Sequence, residues 1–79
     1  MFIKKYRRLV LEGEMQDIAN EINKTFKKLY DARNMAVAAE CWGDHDGFQK
    51  WTDKISELSD EVLKLNEKLS EKKAAYAAI

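Results

Sequence analysis

Apolar residues in the second half of the chain recur at alternating intervals of three and four: Phe48, Trp51, Ile55, Leu58, Val62, Leu65, Leu69, then Lys72, Tyr76 and Ile79. Only Lys72 breaks the apolar character. A repeat averaging about 3.5 residues keeps one seam of a helix turned toward a neighbouring helix, as in a coiled coil. The pattern predicts a helix over residues 47–77.

The preceding segment carries a second seam of the same kind, through Met15, Ile18, Ile22, Thr25 or Phe26, Leu29, Ala32, Ala36 and Ala39. It predicts a helix over residues 14–41, with acids in its first turns, where the helix dipole favours them. Toward its end this seam becomes small. The facing start of the next helix carries Phe48 and Trp51, and Trp42 falls in the connection. Large residues opposite small ones let two helices approach closely and interdigitate. The expectation is an antiparallel hairpin closed by a turn over residues 42–46. Gly43 is placed to take the left-handed conformation that ends a helix. Asp46, with Gln49 three residues on, reads as a capping box for the second helix, and Asp44 is a competing cap.

The first dozen residues read as a third unit. Phe2, Ile3, Tyr6, Leu9 and Val10 share one helical face, while Lys4, Lys5, Arg7 and Arg8 lie largely on the other. Gly13 is expected to break this short basic helix, residues 2–12, from the next. The fold class is therefore all-α: a long antiparallel helical hairpin, coiled-coil-like, with a short N-terminal helix.

Such a hairpin is long for its mass. Helices of these lengths span roughly 40 and 46 Å, whereas a compact chain of this size has a radius of gyration near ~12 Å. Ala19, Phe26, Tyr30, Val37 and Leu63 also fall outside the two seams. Pairing hairpins into a helical bundle would bury them, so a homo-oligomer, dimer or higher, is expected. The competing arrangement is a monomer whose N-terminal helix folds back over the strip.

Composition narrows the function classes. With 79 residues there is one marginal domain. The single cysteine, Cys41, permits no intrachain disulfide and fits a reducing compartment. No stretch approaches the ~20 apolar residues of a membrane span, and Leu9-Val10-Leu11 is too short for the core of a signal peptide. A cytoplasmic location is expected. The 14 basic and 14 acidic residues cancel, which argues against an acidic nucleic-acid mimic and against a strongly basic binder.

No catalytic, cofactor or metal site is expected. Cys41, Asp44, His45 and Asp46 are ligand-type residues, but a structural zinc site needs four ligands and no second Cys/His pair exists. As a calcium loop, the segment would put Trp42 at the first ligand position and Asp53 in place of the closing glutamate. The stretch from Ile18 to Ala39 resembles the long first helix of the helical chorismate mutases, in that Arg33 is followed by Ala36 and Val37. The second arginine and the lysine of that family fall on Gln16 and Asp44, so the resemblance implies no dicarboxylate site. Arg33 reads instead as a structural residue paired with a carboxylate.

What is left is a surface for partners: Lys4, Lys5, Tyr6, Arg7 and Arg8 at the N-terminal end, Trp42 at the turn, and Leu63 on the flank. The expectation is a non-enzymatic protein–protein interaction module, of the type phages and mobile elements use to bind and inhibit a host protein. The alternative is a nucleic-acid-binding helical dimer using the N-terminal basic helix.

Overall fold

Without proline, and with glycine only at positions 13, 43 and 47, little in the chain interrupts a helix. The computed structural model describes residues 2–79, with side chains from Ile3 onward. It consists of α1 (Phe2–Cys41) and α2 (His45–Ala77), packed antiparallel against each other. The hairpin is a rod with backbone extents of 63 × 14 × 11 Å and a radius of gyration of 18.0 Å.

The core is the single strip between the two seams. Thr25, Ala32, Ala36 and Ala39 are buried on α1, and Leu58 and Val62 on α2. Leu11, Met15, Ile18, Ile22 and Leu29 continue the strip on α1, half-buried, as do Trp51, Ile55, Leu65 and Leu69 on α2. Thr25 belongs to the seam and Phe26 to its flank. The Thr25 hydroxyl donates to the Glu21 carbonyl at 2.9 Å, so a buried polar group is satisfied within its own helix.

Two cross-helix links fix the register at the open end. Lys72 Nζ lies 2.6 Å from Glu14 Oε2, and the Tyr76 hydroxyl donates to Glu12 Oε1 at 2.9 Å. Lys72, the one polar position of the α2 seam, thus meets a carboxylate from α1.

Three expectations are corrected. There is no separate N-terminal helix, because α1 runs unbroken through Gly13. A glycine inside a helix costs only about 1 kcal/mol relative to alanine. Gly13 is exposed, with open space where a Cβ would stand, while the seam passes it through Leu11 and Met15. With α1 continuous, no separate N-terminal helix folds back over the strip among the described residues. Ile3, Tyr6, Leu9 and Val10 remain exposed, and the Phe2 side chain lies outside the described residues.

The second helix begins at His45, and its cap is Asp44, whose Oδ1 accepts from the Gly47 N–H at 2.9 Å. The Asp46–Gln49 capping box does not form, and Gln49 Nε2 donates to Asp53 Oδ1 instead. The exit from α1 explains this. Gly43 adopts φ +71°, its N–H donates to the Glu40 carbonyl, and the Asp44 N–H donates to the Ala39 carbonyl. That pair of bonds is a Schellman motif, and it delivers Asp44 directly to the cap position. Asp46 is left in the first turn, where its charge complements the dipole.

Finally, Trp42 takes no part in the packing at the closed end. It is the last residue before the left-handed glycine, and the Schellman turn leaves it 87% exposed. The buried alanines face a half-buried Trp51 and a Phe48 at the edge of the strip.

Candidate interaction surfaces

The rod presents two ends and two broad sides. At the turn end Trp42 stands in solvent beside the exposed Cys41, Asp44, His45 and Asp46. The Asp44 carboxylate is committed to the cap. The furrow beside Trp51 is lined by Lys50, Asp53, Lys54 and Glu57, all from α2, and includes neither Trp42 nor Phe48. No group of three or more metal-ligating side chains comes together among the described residues.

At the open end Lys4, Lys5, Tyr6, Arg7 and Arg8 are all exposed on the first turns of α1. No acid lies in the first turn to offset them, so their charge adds to the positive pole of the helix. The Arg8 guanidinium sits 6.0 Å from the Tyr76 ring centroid, a distance at which cation and ring attract. The Tyr76 phenol is held above its ordinary pKa of 10.0, first by its hydrogen bond to Glu12 and then by that carboxylate's charge, with Arg8 opposing. The structure brings the basic residues together but leaves Trp42 at the far end, roughly 50 Å away along α1.

The two sides differ in chemistry. One carries Glu14, Asp17, Glu21, Lys24, Lys28 and Asp31 from α1, and Lys50, Lys54, Glu57, Glu61, Lys64, Lys68 and Glu71 from α2. Glu21, Glu61, Lys64 and Lys68 line one furrow across the seam at Thr25 and Leu65, so these flanks share a face. The opposite flanks share the other. From α1 it receives Gln16, Ala19, Asn23, Phe26, Tyr30, Arg33 and Val37. From α2 it receives Gln49, Thr52, Ser56, Ser59, Leu63, Asn66 and Ser70. Arg33 is the only charged residue among these. It is exposed and takes no ion pair among the described residues, so the carboxylate partner expected from sequence is absent.

Phe26, Tyr30, Val37 and Leu63 are each about half or more exposed on this second face. Leu63 and the α1 flank were legible from spacing. The α2 half was not, because its signal is a missing charge at every third or fourth position of a polar helix.

No family model, curated protein or solved structure matches the chain. No helix among the described residues is long and apolar enough to cross a membrane.

Proposed function

We propose that this protein is a non-enzymatic protein–protein interaction module. On this reading it works in the cytoplasm as a small accessory factor, of the type phages and mobile elements use to bind and inhibit a host protein. The observation that carries the reading is Trp42, a large aromatic side chain 87% exposed at the tip of a rod. Tryptophan is among the residue types enriched at interface hot spots, and this one adds almost nothing to the core of its own hairpin. The turn beneath it is rigid, held by the Schellman bonds and the Asp44 cap, so docking would order little.

The test is quantitative capture of a partner from lysate by the full chain, followed by binding of that partner to Trp42→Ala. Loss of about 2 kcal/mol, or about 30-fold in Kd, is expected of a central aromatic anchor. Binding unchanged by Trp42→Ala would remove the turn end from the interface.

A second reading is favoured by the open end, where four cations lie on the first turns of α1 and no acid lies in its first turn. This end suits an anionic partner, and a duplex nucleic acid is its simplest form. Contacts to phosphate lose affinity steeply with salt. Binding to duplex DNA or RNA at low salt that disappears in a Lys4/Lys5/Arg7/Arg8→Ala variant would support it, and no binding at low salt would end it.

A further inference from the structure

We propose that the uncharged face binds a second copy of this chain, with the two-fold axis running along the rod, so that α1 of each copy lies over α2 of the other in a four-helix bundle. This deepens the interaction-module reading and rests on it. It assigns one broad side to self-association and leaves the two ends free.

Size complementarity supplies the first argument. The large side chains of the face, Phe26, Tyr30 and Val37, lie on α1, and the small ones, Thr52, Ser56 and Ser59, on α2. The Glu14–Lys72 and Glu12–Tyr76 links put Tyr30 level with Ser56, Phe26 level with Ser59 and Leu63 level with Asn23. A two-fold axis along the rod swaps the helices and keeps the levels. Tyr30 then meets the second copy's Ser56, Phe26 meets its Ser59, and Leu63 meets its Asn23. In these three pairs a large side chain finds a smaller one, as interdigitating helices require. An axis across the rod would instead stack α1 on α1 and α2 on α2, aromatic against aromatic and serine against serine.

Three of the polar side chains of the face supply the second. Thr52 Oγ1 already donates to the Phe48 carbonyl at 2.8 Å. Gln16 Nε2 donates to Asn20 Oδ1 and Gln49 Nε2 to Asp53 Oδ1, both within their own helices. Side chains bonded within their own helix lose little when water is removed. Between Gln16 and Val37, and over the α2 positions level with them, Arg33 is the single charge to be displaced, and its long stem lets the guanidinium reach the edge of the bundle.

Area agrees. From Val37 to Gln16 the face runs ~32 Å at 1.5 Å per residue, and two helices are ~20 Å across. That is roughly 600 Å² in flat projection, and more once ridges and grooves are counted, close to the ~800 Å² per partner of a specific dimer.

The full chain carries its own probe in Cys41, its one cysteine, which is exposed. Sedimentation equilibrium should give twice the 9.2 kDa chain mass. A nitroxide on Cys41 should give an inter-label distance set by the width of the bundle, because both turns lie at one end. Phe26→Lys and Leu63→Lys should each weaken the dimer by roughly 30-fold or more. Both side chains are exposed in the hairpin, so helicity should be kept; Lys64→Ala, on the charged side, should leave the dimer intact. A 9.2 kDa monomer at high concentration would overturn the proposal. So would a dimer indifferent to Phe26→Lys and Leu63→Lys, or a label distance approaching the rod length. A monomer that still binds a partner through Trp42 would discard the self-association and keep the interaction module. A face-to-face dimer whose captured partners are indifferent to Trp42→Ala would do the reverse.

Discussion

Lys72 Nζ meets Glu14 Oε2 at 2.6 Å across the hairpin, at the one position where the α2 seam is not apolar. The pair ties α2 to the stretch of α1 just past Gly13. Both side chains are about 40% exposed, so the pair is worth at most about 1 kcal/mol, far below a buried ion pair. Reversing either charge alone, Glu14→Lys or Lys72→Glu, should lower stability by ~1 kcal/mol, and the double reversal should recover most of it. Urea denaturation of the four proteins reads the coupling. Additive effects would mean the two residues do not meet in solution.

Thr25 is buried in the middle of the strip, yet its hydroxyl bonds only to the Glu21 carbonyl of its own helix. Thr25→Val keeps the shape, removes a group that bends helices slightly, and leaves no cross-helix partner unpaired. Stability should be unchanged or rise by up to ~1 kcal/mol. Leu58→Ala, by contrast, empties a position only 3% exposed and should cost ~2–4 kcal/mol, enough to unfold most of a chain this small. Circular dichroism melts at fixed concentration separate the two outcomes. A large loss from Thr25→Val would show that its hydroxyl has a second partner.

The sequence made the hairpin legible and hid how its two sides differ. The spacing from Phe48 to Ile79 marks α2 because seam burial demands a period near 3.5, and the alanines at 32, 36 and 39 mark where the helices close. Gly13 misled because glycine usually punctuates, whereas here it lies on the outward side of a seam that continues past it. The sequence offered Trp42 both to the closed-end packing and to a partner, and only the turn geometry at Gly43 decides where that side chain goes. The uncharged side belongs to neither helix alone. Its halves join only once register is known.

The turn admits a sharp test of that geometry. Gly43 holds φ +71°, where a Cβ is strained, so Gly43→Ala should cost ~1 kcal/mol and Gly43→Asn less. At Gly47 the backbone is helical, but a Cβ would collide with the Asp44 carboxylate that caps the helix. Gly47→Ala should therefore displace the cap and gain none of alanine's usual helix advantage. Asp44→Ala should cost ~1 kcal/mol by direct loss of the cap. In the Asp44→Ala background, Gly47→Ala should become stabilising by up to ~1 kcal/mol. That change of sign, read by thermal denaturation, would be missing if Asp46 were the cap.

Tyr76 gives the open end a dependence on alkaline pH. Its hydroxyl donates to Glu12, so the bond exists only while the phenol is protonated, and its pKa is raised above 10.0. A group with a raised native pKa contributes stability that is complete below the unfolded value and disappears as pH climbs through the native one. The open end should therefore hold at neutral pH and loosen only in alkali beyond 10.0. Tyrosinate absorbance in a Tyr6→Phe/Tyr30→Phe background isolates this titration. Its midpoint should fall toward 10.0 in Glu12→Gln, which removes the carboxylate's charge. It should rise further in Arg8→Ala, which removes the one group opposing the shift. A midpoint at or below 10.0 in the unaltered pair, or no response to Glu12→Gln, would show that α2 does not reach back to Glu12 in solution.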